Sequence, residues 1–582
     1  MANELNRYSV VVLVLFALSI YFVIAPVSIP VRLPWTRKDD QRASRTFRIH
    51  IGTLTAPLIA VLILWASTCI DSTVVRDGIV GVEGIKPYNI LILFSASLLQ
   101  SAAFWVSNKG GSSGRKLYLY FYLMLTAFSI VVGNDPVILS GTVFLVYWTQ
   151  ATQVDNIAWL YAEFAAANTA SMVLFVGNPT NVVICEGFGI RNIAYTAYTI
   201  FPFLACSIVG YAALSIQFRS SRYIPRKMPD IARLNPRSVL VDPVGAVVGS
   251  IILGSCLVVL LGVSFTDIEV WEITLPFAVA KFVWDLTWDF YRFKQRGKKG
   301  DRTQTDPDVL MKAQMAHMHR TATGLSRISN DGNRPTDAEK GVQAGPNALH
   351  DTTLHREKPS SSAEREHETR EQNDAPPPPP VASGTPPERL SDTTLSEHRT
   401  RWTWFRERWP TITTAFPRLP FGLVPFAFLQ FILVEALAFR GWIKVFARWL
   451  NIASGNQPYP VLLIIGVLGI VLCNISGTNI GATILLTKVI KAANMGRSAT
   501  MAGAIALAIS SNIGAVSFVF SASLAGLLWR AILKQKGIVM KQSTFAKWNG
   551  LPILFMTVAG LGVGCAELAV IMHAGLAGTR EG

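Results

Sequence analysis

Apolar runs of bilayer length govern what this 582-residue chain can become. Roughly 20 apolar residues cross a hydrocarbon core. The sequence offers Tyr8–Ile29, Gly52–Ile70, Ile85–Val106, Asn192–Phe218, Val244–Val263, Trp271–Phe290, Phe421–Phe439 and Asn549–Met572 as spans. Lipid supplies no hydrogen bonds, so the backbone must satisfy itself within such a run. The chain therefore reads as an all-α polytopic membrane protein. Its composition agrees: 51% of residues are hydrophobic and 15% charged, and the mean hydropathy is +0.36. The formal charge of +16 sits mostly in loops beside apolar runs. There it orients a membrane protein, so nucleic acid is not an expected partner.

Three further apolar segments are interrupted. Leu117–Gln150 is broken at Gly133-Asn134-Asp135-Pro136 and is expected to form a re-entrant hairpin with that tip. Pro460–Ile490 is broken between Cys473 and Asn479, and Ala499–Leu533 is expected to break near Ser510–Gly514. The fourth interruption lies in Asn156–Cys185, where Asn168, Thr169, Ser171, Asn178, Thr180 and Asn181 surround Gly177 and Pro179. Proline cannot donate a backbone hydrogen bond and glycine weakens a helix. Two readings stay open here. One is a discontinuous helix whose polar side chains line a site near the midplane. The other is a Pro-kinked helix glued to its neighbours by those side chains.

The interruptions recur in order. Ile85–Phe94 resembles Leu419–Phe428, Ile130–Asn134 resembles Ile470–Asn474, and Asn168 pairs with Asn512. Two repeats are expected, each of about five transmembrane helices plus one re-entrant hairpin, with one discontinuous helix apiece. An odd number of spans per repeat inverts the second in the membrane. The domain plan is a first repeat over 1–218, the start of the second over 219–290, a cytosolic loop over 291–418, the rest of the second repeat over 419–573, and a tail over 574–582. The loop is rich in charged, Ser, Thr and Pro residues, includes Pro376–Pro380, and is expected to be disordered. Lysine and arginine place the loops at 30–50, 107–116, 218–238, 291–418 and 534–548 on the cytosolic side. Arg440, Lys444, Arg448, Lys488, Lys491 and Arg497 fall on the opposite side and break the pattern.

These motifs resemble the ion-transporter superfamily, within it the ArsB-type arsenite permeases and their NhaD-type and citrate-carrier relatives. Gly133-Asn134-Asp135 is similar to that family's first hairpin tip. Ala167–Ser171 followed by Gly177–Asn181 is similar to its first broken helix, and Ser521–Trp529 to the end of its second. The similarity covers residues 50–290 and 419–572. The second tip reads Cys473-Asn474-Ile475-Ser476-Gly477-Thr478-Asn479 and Phe518-Val519-Phe520 stands where a Thr-Pro pair is usual, so this chain departs from the arsenite permeases there. The long loop suggests a eukaryotic, fungal member.

The resemblance implies a secondary active transporter that moves a small anion or metalloid, arsenite- or antimonite-like, by alternating access with H+ or Na+ as coupling ion. A citrate or dicarboxylate carrier and a Na+/H+ antiporter of the same superfamily are the alternatives, with a channel or an intramembrane enzyme as readings from other classes. Candidate binding residues are Asn134, Asp135, Asn168, Thr169, Ser171, Asn178, Thr180, Asn181, Asn474, Ser476, Thr478, Asn479, Ser511, Asn512, Ser521 and Ser523. Their amides and hydroxyls donate and accept without fixed charge, and helix N-termini among them favour an anion. Asp135 and Glu163 are the proton-coupling candidates, because an acid inside the membrane is costly and functional by default. Asp135 can equally cap the helix that follows it. The six cysteines show no metal or disulfide spacing and read as packing residues. No P-loop, HExxH or GxSxG sequence is present, so neither ATP hydrolysis, an enzyme activity nor a cofactor is expected. The expected partners are the lipid bilayer, the solute and its coupling ion, with a homodimer left open. The expected location is a plasma or vacuolar membrane.

Overall fold

α1 (Arg7–Ile24) opens the fold with a capping box. Asn6 accepts from the Ser9 N–H at 3.1 Å while the Ser9 hydroxyl accepts from the Asn6 N–H at 3.3 Å. The structure, a computed structural model, describes residues 5–32, 46–81, 113–228, 243–262, 270–299, 404–405, 408–410, 413 and 423–573. All but Trp404 and Phe405 of these belong to one unit, residues 1–325 and 406–582.

The first expected span is shorter than its apolar run. α1 stops at Ile24, because Pro26 cannot continue the helix. The rest of the run is extended: β1 (Val27–Arg32) pairs antiparallel with β2 (Thr46–Ile51), in register from Val27 opposite Ile51 to Arg32 opposite Thr46. The second expected span, Gly52–Ile70, contracts to α2 (Thr55–Ala66). Its 12 residues reach about 18 Å, well short of a hydrocarbon core of about 30 Å. The chain turns at Thr68, whose φ of 54° lies in the left-handed region. α3 (Ser72–Val80) follows, capped by Asp71 on the Thr73 and Val74 N–H groups at 3.0 and 3.1 Å. The span expected over Ile85–Val106 lies outside the described residues.

Residues 114–217 form α4 (Gly114–Val132), α5 (Asn134–Thr152), α6 (Asn156–Ala170), a 3-10 turn (Phe175–Gly177), α7 (Pro179–Phe188) and α8 (Asn192–Gln217). The same order returns over 458–573: α13 (Pro458–Ile475), α14 (Asn479–Ala492), α15 (Arg497–Ala515), a 3-10 turn (Phe520–Ala522), α16 (Leu524–Gln535) and α17 (Gln542–His573). The correspondence is fine-grained. Pro202 of α8 and Pro552 of α17 each sit ten residues past the helix start. Between the two sets lie α9 (Pro243–Gly262), α10 (Val270–Lys299), α11 (Leu423–Phe439) and α12 (Trp442–Ser454). α10 runs nine residues past the expected span end at Phe290 into the expected loop; most of that loop lies outside the described residues.

Six described helices are long and apolar enough to cross a membrane: α1, α4, α8, α13, α15 and α17. α11 and α12 make a seventh candidate, bent by 75°. The bend was not expected. It falls at Gly441, whose φ of +86° suits glycine. Arg440 beside it donates to the Cys69 and Thr68 carbonyls at 2.6 and 3.0 Å. This Arg and Lys488, both on the wrong side of the charge pattern, are consumed by internal contacts.

The second discontinuous helix is also corrected. α15 passes unbroken through Ser510–Gly514, and the break falls later, over Val516–Ser523. Serine and asparagine side chains mid-helix bond back to the preceding turn: Asn512 Nδ2 donates to the Ala508 carbonyl at 3.0 Å, so those residues keep the helix intact. α15 is apolar or small on nearly every side and is buried through almost its whole length. α8 and α17 pack on one another beside it, with the Cys206 thiol donating to the Met556 carbonyl at 3.3 Å.

Candidate functional site

The first hairpin turns at Gly133. Its φ of +85° is a glycine conformation, and a Cβ there would stand 2.8 Å from the Gly177 carbonyl oxygen. Gly177 in turn leaves no room for a side chain, because a Cβ would meet the Ser171 carbonyl oxygen at 2.3 Å. The first tip and the first break are therefore pressed backbone to backbone. Asn134 Nδ2 donates to Asn168 Oδ1 at 3.0 Å, and the Ser129 hydroxyl donates to the Ala167 carbonyl at 2.7 Å.

The break itself is closed by amides. Asn181 Nδ2 donates to the Ser171 and Leu174 carbonyls, both at 2.8 Å. Asn512 reaches in from α15: its Nδ2 donates to Asn181 Oδ1 at 2.9 Å, and its Oδ1 accepts from Asn178 Nδ2 at 3.1 Å. The Ser171 hydroxyl lies 3.1 Å from the same Oδ1 and 2.9 Å from the Asn168 carbonyl. Every residue whose side chain bonds in this network is buried, and Leu174, which contributes a carbonyl, is half-buried. It answers the open question about residues 167–184: the helix is broken, and the protein satisfies the break.

The second tip and break are built differently. The Ser476 hydroxyl donates to the Thr478 carbonyl at 3.0 Å, Gly477 has a φ of +80°, and Thr478 caps α14. Asn474 faces away from the tip: its Oδ1 accepts from the Phe518 N–H at 2.7 Å and the Val519 N–H at 3.3 Å. Asn549 Nδ2 holds the Ser517 carbonyl at 3.0 Å, and Gln542 donates to the Phe518 carbonyl. Ser523 caps α16, its hydroxyl accepting from the Gly526 N–H at 3.0 Å.

Four helix N-termini meet at one small, partly open pocket with room for about one water molecule. It is lined by Asn134 and Asp135 from α5, Asn178 and Pro179 from α7, Asn479 and Ile480 from α14, and Ser523, Leu524 and Ala525 from α16. Each N-terminus carries about half a positive charge and unpaired N–H groups. The one carboxyl in the lining belongs to Asp135, half-buried, whose Oδ1 has no hydrogen-bond partner among the described residues.

Of the residues singled out in the sequence, Asn134, Asp135, Asn178, Asn479 and Ser523 line this cavity. Asn168, Ser171, Asn181 and Asn512 form the network behind it. Thr180 offers its N–H to Asn178 Oδ1 at 3.2 Å, and its hydroxyl lies 3.5 Å from Asn181 Oδ1. The Thr169 hydroxyl lies 3.3 Å from Met556 Sδ, and Ser511 bonds back to the Ala508 carbonyl at 3.4 Å, both away from the lining. Ser476 and Thr478 shape the second tip. Ser521 is buried with its hydroxyl unpartnered among the described residues. Glu163 is fully buried on α6 with Oε2 accepting from the Thr142 hydroxyl at 3.0 Å, outside the lining. The repeat alignment paired Asn134 with Asn474, yet Asn479 stands as the first helical residue after the second tip, as Asn134 does after the first. The second turn has three residues between its helices and the first has one, so counting from the helix start would have found this. Cys473 packs its thiol where a Cβ on Gly514 would come within 2.7 Å.

Residues 90–313 match the Citrate transporter family, CitMHS. The chain is also similar to the arsenical pump membrane protein of Escherichia coli K12, 25% identical over 199 residues, and to that of Yersinia enterocolitica, 29% identical over 200. Each match covers 33% of this chain and 46% of the relative, so the chain spans under half the length of the relatives it matches. A crystal structure of the Alcanivorax borkumensis YdaH transporter aligns over 98% of both chains at 12% identity, with a TM-score of 0.37. A likeness that low carries no weight here. Broken helices around a buried polar cavity, among helices of membrane-crossing length, define an integral, multi-pass membrane protein. The family match and the relatives point further: over those residues the chain is similar to the ArsB and CitMHS members of the ion-transporter superfamily.

Proposed function

We propose that this protein is a secondary transporter that carries a small anion or an arsenite- or antimonite-like metalloid by alternating access, with a proton as the coupling ion. One observation carries the reading: the N-termini of α5, α7, α14 and α16 point into one cavity. Partly buried helix ends stabilise a negative group by up to about 2 kcal/mol each, so four on one cavity favour an anion or a polarised hydroxide over a cation. Asn134, Asn178, Asn479 and Ser523 supply the donors and acceptors that orient it.

Asp135 gives the coupling. Ionised, it occupies the same positive field that the solute needs. An arriving anion therefore competes with the carboxylate, and a proton on Asp135 relieves the competition. Solute and proton then move together. The two matched helix sets are read as an inverted repeat, with the tips and breaks of both halves meeting at the site. The lipid bilayer is the solvent of this machine. Glu163, outside the cavity, is at most a second proton holder.

The test is flux into proteoliposomes under an imposed pH gradient, comparing arsenite, antimonite and citrate in wild type and Asp135→Asn. Uphill movement of one solute that the variant loses supports the reading. If no solute moves, or the variant keeps the coupling, the reading fails. A citrate or dicarboxylate carrier is the second reading, favoured by the CitMHS match over residues 90–313; the same experiment separates the two by which solute moves.

A further inference from the structure

α14 carries Asn479 into the cavity at its first residue and is held at two points further along. At its far end Asn451 of α12 donates to the Ala493 carbonyl at 2.9 Å. Between the two, Lys488 pairs with Glu435 of α11, with Nζ 2.9 Å from Oε2 and 3.2 Å from Oε1. The side chains are only 7% and 16% exposed. A buried ion pair is weak evidence for stability, and this one ties the helix that carries Asn479 to α11.

α11 is an anchored partner. Just past Glu435, Arg440 bonds the Cys69 and Thr68 carbonyls, its own carbonyl accepts from the Ser9 hydroxyl at 3.0 Å, and Trp442 Nε1 donates to the Ser9 carbonyl at 2.8 Å. α11 is thus tied to α1 and to the turn between α2 and α3, whereas α14 belongs to the repeat that forms the site.

Gln430 supplies the second observation. It is fully buried on α11, and neither amide atom has a partner among the described residues. A buried amide with both ends unpaired needs an explanation. Its neighbour is the second tip: a Cβ on Gly477 would stand 3.8 Å from Gln430 Nε2, and one on Gly481 would stand 4.0 Å from Gln430 Cβ. Glycine at both positions leaves a bare backbone surface against Gln430. The Thr487 hydroxyl, beside Lys488, is likewise buried and unpartnered.

We propose that Glu435 and Gln430 are positioning residues for the second hairpin tip. The Glu435–Lys488 pair holds Asn479 at the cavity in the conformation described here. Gln430 is the partner that the tip backbone takes up when the pair is released. The transport half of this statement rests on the function proposed above; the tip movement does not.

Hydrogen exchange on the full-length protein in detergent tests the pair without any solute. In Glu435→Gln, exchange of amides 476–486 should rise tenfold or more while 133–143 in the first hairpin stays unchanged. The charge swap, Glu435→Lys with Lys488→Glu, should return it to within threefold of wild type. An equal rise in both segments, or none, overturns the role of the pair. For Gln430, the Leu variant removes an unpaired buried amide, so a purely packing role predicts equal or higher thermal stability and wild-type turnover. The proposal expects that stability with turnover at least tenfold lower and KM unchanged, for whichever of arsenite, antimonite and citrate the wild type carries. Gln430→Met serves if the Leu variant does not fold. Wild-type turnover overturns the proposal. If the wild type carries none of the three, the proposed function fails by itself, and tip exchange in Gln430→Leu decides: a threefold or greater fall supports Gln430 as the alternate partner, and no change removes it.

Discussion

Replacing Asn512 with alanine should open the first break from a distance, although Asn512 lies on the other repeat. The amide makes two side-chain bonds across to residues of the break, to Asn178 and Asn181, with the Ser171 hydroxyl a third at 3.1 Å. Ser171 can fall back on the Asn168 carbonyl at 2.9 Å. Asn178 Nδ2 loses its partner, Asn181 Oδ1 keeps only the Thr180 hydroxyl at the weak distance of 3.5 Å, and both residues are buried. Interhelical side-chain bonds in membranes average about 0.6 kcal/mol, which gives a lower value near 2 kcal/mol for the three. Leaving two buried groups unsatisfied costs about 1–3 kcal/mol each, which gives an upper value near 6 kcal/mol. Asn512→Ala should therefore lose about 2–6 kcal/mol, read by reversible denaturant unfolding in mixed micelles. Ser511→Ala, one residue away with only a bond back along its own helix, is the control. A loss below about 1 kcal/mol for Asn512→Ala would refute the claim that this amide closes the break.

Four other expectations follow from particular contacts. Asp135→Asn should keep downhill flux and abolish its dependence on the pH gradient, measured in proteoliposomes. Gly177→Ala forces a Cβ against the Ser171 carbonyl oxygen at 2.3 Å; monodisperse yield by size-exclusion chromatography should fall severalfold, and wild-type yield would contradict the tight packing of break and tip. Cys473→Ala should leave arsenite flux within twofold, since the thiol packs toward Gly514 outside the lining; loss of arsenite flux with citrate flux retained would make it a metalloid ligand instead. At Asp71 the Thr73 hydroxyl, and after it the Val74 N–H, hold the carboxyl below its ordinary range. A depressed value means stabilisation that is present above the unfolded pKa and lost as pH falls through the folded one. The stability gap between wild type and Asp71→Ala should therefore close below about pH 4, and a gap that persists at pH 2 would show that the charge is not what caps α3.

The sequence by itself determined where helices start and fail. Apolar run length marked α8, α9 and α17 to within a few residues, except that α17 starts seven residues before the expected Asn549. Gly133, Gly177 and Pro179 marked the first tip and break, because a positive φ at Gly133, the absent Cβ at Gly177 and the missing N–H at Pro179 are properties of single residues that no neighbour can override. The same local logic failed where polarity was mistaken for a break: Ser510–Gly514 stays helical, since asparagine and serine can bond back along their own helix, and the chain comes apart at Val516–Ser523 instead. It failed again at Gly52–Ile70, where apolar content alone said nothing of the turn at Thr68. Only the tertiary structure decided which amide meets which. Asn134 holds Asn168 in its own repeat, while Asn512 crosses to the other repeat to hold Asn178 and Asn181. Asn474, the apparent twin of Asn134, is spent on the Phe518 and Val519 N–H groups, and Asn479 takes the lining position. Likewise, four short helix starts separated by up to hundreds of residues come to line one pocket only when packing brings them together. The reason is physical: helix limits depend on backbone chemistry within a turn or two, whereas a hydrogen-bond partner inside lipid is whatever buried group the packing places within about 3 Å.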